Sequence, residues 1–253
     1  MTTEQAKEYL RRIGAGFSET ASAEYLSELQ YSHLLTVPYE NLDILRQKRI
    51  CLSEDSLYEK IVLKRRGGYC FELNRLFGIL LRTLGFQVTD YVARYLRDAD
   101  GIPKRRHQVL RVRTADKKEF LCDVGVGAAI PLRPVPYVFG QDSVQENGIY
   151  SLRADPVYGV VLTEVHGGGR RDVYGFTEEI QLAPDFDFAS FWCEFAPDSP
   201  FNKKTILSIR RPGKRITLDG NVFREFSASG VYEKILPPDE AEAVTAEVFG
   251  IRL

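Results

Sequence analysis

Apolar positions spaced by three and four residues mark the first third of the chain as helical. Leu26, Leu29, His33/Leu34 and Val37 define one helix, which Pro38 stops. A second begins at Ser53, a suitable N-cap, continues through Leu57 and Ile61 and stops at Gly67-Gly68. A third runs from Cys70 through Leu73, Leu76/Phe77, Leu80/Leu81 and Leu84 to Gly85. From Phe86 onward the pattern changes to short strands at 87–96, 107–114, 119–124, 148–153, 158–166 and 172–182, separated by Gly, Pro and Asp turn signals. Strands at this spacing suggest a small barrel or sandwich. After Pro184 an aromatic stretch, 186–195, precedes strands near 205–210, 215–218 and 222–226, with Asp219-Gly220-Asn221 as a hairpin turn and a closing helix over 239–249. The expectation is an α+β chain in three contiguous parts: helices over 1–85, strands over 86–184 and an α/β segment over 185–253.

Composition narrows the functions this fold can carry. The chain has 253 residues, 44% hydrophobic and 27% charged, which suits a packed core and not disorder. Lys and Arg number 34 against 35 Asp and Glu, so the clustered basic excess that nucleic-acid binding needs is missing. The mixed charges of Met1 to Glu8 are unlike a secretory leader, and no apolar run approaches the roughly 18 residues of a spanning helix, so a cytoplasmic protein with no membrane partner is expected. Cys51, Cys70, Cys122 and Cys193 lie far apart without a C-x-x-C pair, and His33, His107 and His166 are not at ligand spacing. Neither a disulfide framework nor a metal centre is therefore expected.

Cys70 follows Arg66-Gly67-Gly68-Tyr69 and opens a helix, where free amide N–H groups and the positive end of the dipole favour a thiolate. The plain alternative is a small apolar residue packed at a helix start. His107 and Asp123 lie at or beside predicted strands joined by a turn around Ala115-Asp116-Lys117, so a hairpin brings them toward one end, as a nucleophile, base and orienting acid require. Asp123 stands among apolar neighbours in Leu121-Cys122-Asp123-Val124-Gly125-Val126-Gly127, a costly place unless a donor such as His107 Nδ1–H satisfies it. A thiol of ordinary pKa is about 3% ionised at neutral pH, so full ionisation contributes only about 2 kcal/mol. Positioning and proton delivery have to supply the rest.

The run Arg66-Gly67-Gly68-Tyr69-Cys70-Phe71-Glu72-Leu73-Asn74, with Val37-Pro38-Tyr39-Glu40-Asn41-Leu42 upstream and His107 and Asp123-Val124-Gly125-Val126-Gly127 downstream, resembles the arylamine N-acetyltransferases over nearly the whole chain. The resemblance implies a helical bundle, a β-barrel and an α/β lid, with Cys70, His107 and Asp123 as a triad. It implies a ping-pong reaction in which Cys70 takes acetyl from acetyl-CoA and passes it to an arylamine or hydrazine, with no metal. His107 would move the protons and Asp123 fix its tautomer, while amides near Cys70 or in the 123–127 loop would hold the oxyanion. Coenzyme A contacts would fall on Lys104 and Arg105 and on Ser199, Asn202 and Lys203, and acceptor contacts on Phe71, Arg106, Gly125, Val126 and Gly127. The chain departs from the family pattern at Val126, where many relatives carry an aromatic residue, and at Arg105-Arg106, where small or polar residues are usual.

Blander roles suit the remaining residues. Glu72 and Asn74 fit backbone capping as well as catalysis, Arg66 and Glu40 an ion pair bracing the loop before Cys70, and Gly167-Gly168-Gly169 a hairpin turn. His33, Cys51, Cys122 and Cys193 fit packing, His166 a strand end, and the 186–195 stretch with Trp192 a core. A transglutaminase-like or papain-like enzyme, a CoA-binding protein without turnover and an amide synthase are the rival readings. A monomer or weak homodimer is expected.

Overall fold

The computed structural model describes residues 1–252. It opens with a helix that the charged start of the chain conceals, α1 (Thr3–Ile13), whose Ala6, Tyr9, Leu10 and Ile13 are buried at three- and four-residue spacing. Thr2 and Gln5 close a capping box at its start, and Gly14 ends it in the left-handed region at φ 73°. Helix α2 (Ala23–Thr36) stops before Pro38 as its pattern predicts, and is followed by strand β1 (Tyr39–Glu40) and the single turn α3 (Leu42–Leu45). Helix α4 (Glu54–Tyr58) is capped by Ser53 and runs into one π-helical turn, Glu59–Leu63, ending short of the predicted Gly67-Gly68. Those glycines instead serve close approach: a Cβ on Gly67 would lie 2.0 Å from the Pro38 carbonyl oxygen. Helix α5 (Cys70–Thr83) crosses the core with Leu73, Leu76, Phe77, Leu80 and Leu81 fully buried.

An eight-stranded antiparallel sheet follows, built from β2 (Gln87–Tyr95), β3 (Arg105–Arg113), β4 (Glu119–Cys122), β5 (Val135–Pro136), β6 (Ser143–Gln145), β7 (Gly148–Asp155), β8 (Gly159–His166) and β9 (Gly169–Phe176). Its order is β5-β4-β3-β2-β9-β8-β7-β6, and a bridge from Phe139 to Leu152 draws the β5 end toward β7, giving a nearly closed barrel. The strand expected at 172–182 is displaced: the Gly167-Gly168 turn, at φ 57° and 81°, starts it at Gly169, and it ends at Phe176. The two- and three-residue strands β5 and β6 are too short to leave a pattern.

The last third contains α6 (Asp185–Phe195), a 3₁₀ turn at Pro200–Asn202, strands β10 (Ile206–Arg211), β11 (Lys214–Asp219), β12 (Val222–Ser227) and β13 (Gly230–Ile235), and α7 (Pro238–Glu247). Every residue of β13 is exposed, so no alternation of burial betrayed it. These strands form a second sheet, β1-β10-β11-β12-β13, in which Tyr39 of the helical part pairs with Ser208. The first and last thirds therefore share one sheet. Phe186, Cys193 and Phe201 also join the core of the helices. The aromatic stretch is only partly core, because Phe188, Phe191 and Phe195 face solvent while Phe186 is buried.

Candidate active site

Three elements converge on one sulfur. Cys70 is the first residue of α5 and is buried, and its thiol lies 3.6 Å from the Arg106 carbonyl oxygen. Gly125 reaches the same spot: a Cβ there would lie 2.7 Å from the Cys70 Cα. His107 enters through an irregularity in β3. Ala93 faces His107 and Arg94 faces Arg105, so Arg106 is an extra, bulged residue. The bulge lets the adjacent side chains of Arg106 and His107 line one cavity, which a regular strand with alternating faces would not allow.

His107 Nε2 lies 2.7 Å from Asp123 Oδ2, so Nδ1 is the nitrogen left for the sulfur. The sequence expectation of Nδ1–H on Asp123 is corrected: the ring presents its opposite nitrogen to the carboxylate. Asp123 Oδ1 accepts from Asn74 Nδ2 at 2.8 Å and from the Gly125 N–H at 2.8 Å. Asn74 also donates to the Gln108 carbonyl at 2.6 Å and accepts from the Val124 N–H at 2.9 Å. Asn74 thus ties α5 to β3 and to the turn after β4, a role beyond capping. Its spacing of four from Cys70 places both on one helix face, a signal in the sequence that could have found this role. The Tyr174 ring packs on His107 at 5.3 Å.

Burial pushes the Cys70 thiol above its ordinary value, although the hydrogen bond and charge of His107 pull it down. This corrects the depressed value expected of a helix start. Burial also works to lower His107, but the charge and hydrogen bond of Asp123, with Cys70 beyond, lift it to about 10. Sulfur and ring consequently titrate as a coupled pair, with an imidazolium facing the sulfur at neutral pH.

Beneath the site lies a buried charge network. Arg66 pairs with Glu40 at 2.7 Å and Asp43 at 3.2 Å, and Lys60 bridges Asp43 at 2.8 Å and Glu72 at 2.7 Å. Glu72 also accepts from the Tyr69 N–H at 3.2 Å, which fixes the turn into Cys70. The expected Arg66–Glu40 pair is present.

A cavity of about 230 Å³ opens at Cys70 and His107, walled by Tyr39, Tyr95, Val126 and Phe201. No helix among the described residues is long and apolar enough to cross a membrane, and no group of His, Cys, Asp and Glu among them has the makings of a metal site.

A family model described as N-acetyltransferase matches residues 22–253. An arylamine N-acetyltransferase of Escherichia coli is 32% identical over 247 residues, covering 96% of this chain and 87% of its own length. The chain belongs to the arylamine N-acetyltransferase family. It is an acyltransferase, and its fold is that of solved family members. The arylamine N-acetyltransferase structure from M. tuberculosis superposes with a TM-score of 0.92 at 30% identity, over 97% of this chain and 93% of that one. The Mycobacterium marinum enzyme in complex with CoA superposes with a TM-score of 0.91 at 27% identity, over 97% of this chain and 92% of that one.

Within this member of the arylamine N-acetyltransferase family, the residues named from sequence divide clearly. Arg106, Gly125, Val126 and Gly127 line the cavity with Cys70 and His107. Arg106 is held over the rings of Phe201 and Trp192, at 5.4 and 6.0 Å. Phe71 does not reach the cavity; it is buried, with its ring 5.5 Å from Tyr69 and 6.0 Å from Phe186. Arg105 points away, toward Thr177 and Glu179, because it precedes the bulge. Ser199 is spent on structure, donating to the Cys193 carbonyl at 2.6 Å and capping the 3₁₀ turn. Asn202 Nδ2 likewise donates to the Glu194 and Ala196 carbonyls. Lys104 is exposed, 4.7 Å from the Trp192 ring and paired with Asp198, and Lys203 is exposed beside the same turn. Tyr39, Tyr95 and Phe201 were not legible as site residues, since only the fold brings three such distant aromatic residues together.

Proposed function

We propose that acetyl transfer proceeds in two steps through a thioester on Cys70, from acetyl-CoA to an arylamine or hydrazine. The observation that carries this reading is the unbroken order of sulfur, imidazole and carboxylate opening into one cavity. One proton is shared by Cys70 and His107; the ring holds it as sulfur attacks the thioester carbonyl, the bond from that carbon to the CoA sulfur breaks, and the proton leaves with CoA. The amine nitrogen then attacks acetyl-Cys70, the carbon–Sγ bond breaks, and the amine proton passes through His107 to the sulfur. Asp123 holds the ring in register throughout.

Two of the loop amides suggested by sequence are already occupied, since the Val124 and Gly125 N–H groups donate to Asn74 and Asp123. The N–H of Cys70 itself, at the helix N-terminus, is the donor we assign to the oxyanion. A cavity of about 230 Å³ suits an acetyl group or an aryl ring but not a whole coenzyme A, whose anionic end would lie outside it near Lys104 and Lys203. Incubation with acetyl-CoA and no amine should yield one acetyl group on the Cys70 peptide by mass spectrometry, discharged on adding an aniline. Labelling only by peptide amides would instead favour the papain-like or transglutaminase-like reading.

A further inference from the structure

Behind the cavity wall, three consecutive carbonyls are each held by a different arginine. Arg215 Nη1 lies 3.4 Å from the Gly127 oxygen, Arg210 Nη2 lies 2.5 Å from the Ala128 oxygen, and Arg97 Nη1 lies 2.6 Å from the Ala129 oxygen. The arginines come from separate places: Arg97 follows β2, while Arg210 and Arg215 face each other across β10 and β11. Arg97 and Arg210 are buried. Among the described residues only Arg97 of the three has a carboxylate partner, Glu164 at 2.5 Å, and Glu164 also pairs with Arg171. Burial lowers Arg210 and Arg215 alike to about 10, and neighbouring arginines add to the drop. A buried guanidinium answered by a carbonyl alone, as at Arg210, is a costly way to hold a loop that a neutral donor would also hold.

What the arrangement secures is the position of Val126, Gly127 and Ala128, which line the cavity together with Cys70 and His107. The loop is pinned at its other end where the Gly125 N–H donates to Asp123. Val126 packs against the core of the helices, and a Cβ on Gly127 would lie 3.2 Å from the Tyr39 ring, so the clamped carbonyls fix the far end of this wall. We infer that Arg210, supported by Arg97 and Arg215, is a positioning residue for the acceptor step, fixing the wall against which the aromatic amine rests without touching the reacting atoms. The inference rests on the two-step reading above, and it separates the half-reactions. Donor attack depends on Cys70, His107 and Asp123, whereas the amine also needs the wall.

The test measures the two steps apart in Arg210→Met and in the milder Arg215→Gln. Acetyl-Cys70 formation is followed by quenched-flow mass spectrometry, and acceptor use by steady-state titration with 4-fluoroaniline. The expected result is acetylation within about threefold of the unaltered protein and an acceptor KM raised about tenfold or more in Arg210→Met, with a smaller rise in Arg215→Gln. Arg210→Gln, which keeps a donor for the Ala128 carbonyl, should recover part of the loss. Equal loss in both steps, or an unchanged acceptor KM in both variants, overturns the inference. Fluorine NMR titration of 4-fluoroaniline into the unacetylated proteins gives a second readout: weaker binding in Arg210→Met supports the wall, and equal binding contradicts it. If the unaltered protein forms no acetyl-Cys70, the two-step reading fails, and this binding comparison still decides the role of the arginines.

Discussion

His33 and His107 are both buried, the first between helices and the second between strands, and their surroundings shift the two rings' pKa values in opposite directions. His33 lies between Tyr9 and Phe77, at ring distances of 5.9 and 5.3 Å, and neither ring nitrogen has a hydrogen-bond partner. Burial, with Arg12 nearby, lowers it to about 3. His107 suffers the same desolvation, yet Asp123 raises it to about 10. One carboxylate at 2.7 Å separates a packing residue from a proton carrier. Burial alone, therefore, says little about a histidine's role; the partner decides it.

The largest test of that contrast removes the partner. Asp123→Asn should leave folding largely intact and cut acetyl transfer by roughly 10⁴, because the ring loses both its charge partner and its tautomer, pushing His107 toward the condition of His33. Retained activity would remove Asp123 from the mechanism. Next in size, Arg66→Met strands Glu40, which is wholly buried, and should cost about 3–5 kcal/mol in urea unfolding; a change near zero would show that the network under Cys70 does not brace it.

Acid and base should then separate the two histidines by sign. His33 has a folded value of about 3 against 6.5, so its contribution is complete above 6.5 and stability falls as pH drops below it. His107, with a folded value of about 10 against 6.5, contributes fully below 6.5 and loses that contribution as pH rises toward 10. His33→Leu should therefore gain about 1–3 kcal/mol more at pH near 5 than at pH near 8, read from denaturant midpoints. An equal gain at both values would contradict the assignment. The smallest effect concerns the wall: Val126→Phe should shift the rate ratio of small to bulky anilines by less than about tenfold in favour of small ones, and an unchanged ratio would take Val126 out of acceptor choice.

The two histidines also measure what a sequence can carry. The three long elements that bear the site, α5, β2 and β3, were legible because their apolar spacing is regular and their ends carry Gly or a strand–turn signal. Cys70, His107 and Asp123 were legible because their residue types and chain order match a nucleophile, its base and an orienting acid. The bulge at Arg106 was not, since one extra residue leaves no mark in a periodicity, so nothing in the sequence showed that Arg105 and Arg106 turn to different places. The surroundings of Ser199 and Asn202 were hidden for a related reason: the Ser199 hydroxyl and the Asn202 Nδ2 group donate to carbonyls of α6 and the segment following it. Asn74 stands at helical spacing from Cys70, but its hold on Asp123 requires β3 and the turn after β4 to arrive from elsewhere.

Titration of the His107 ring by nitrogen-15 NMR in the unacetylated protein tests the centre of this account most directly. The account predicts an imidazolium at neutral pH, with an Nε2 proton shared with Asp123 and a midpoint near 10. A midpoint at the ordinary 6.5, or a neutral ring throughout like that of His33, would contradict it.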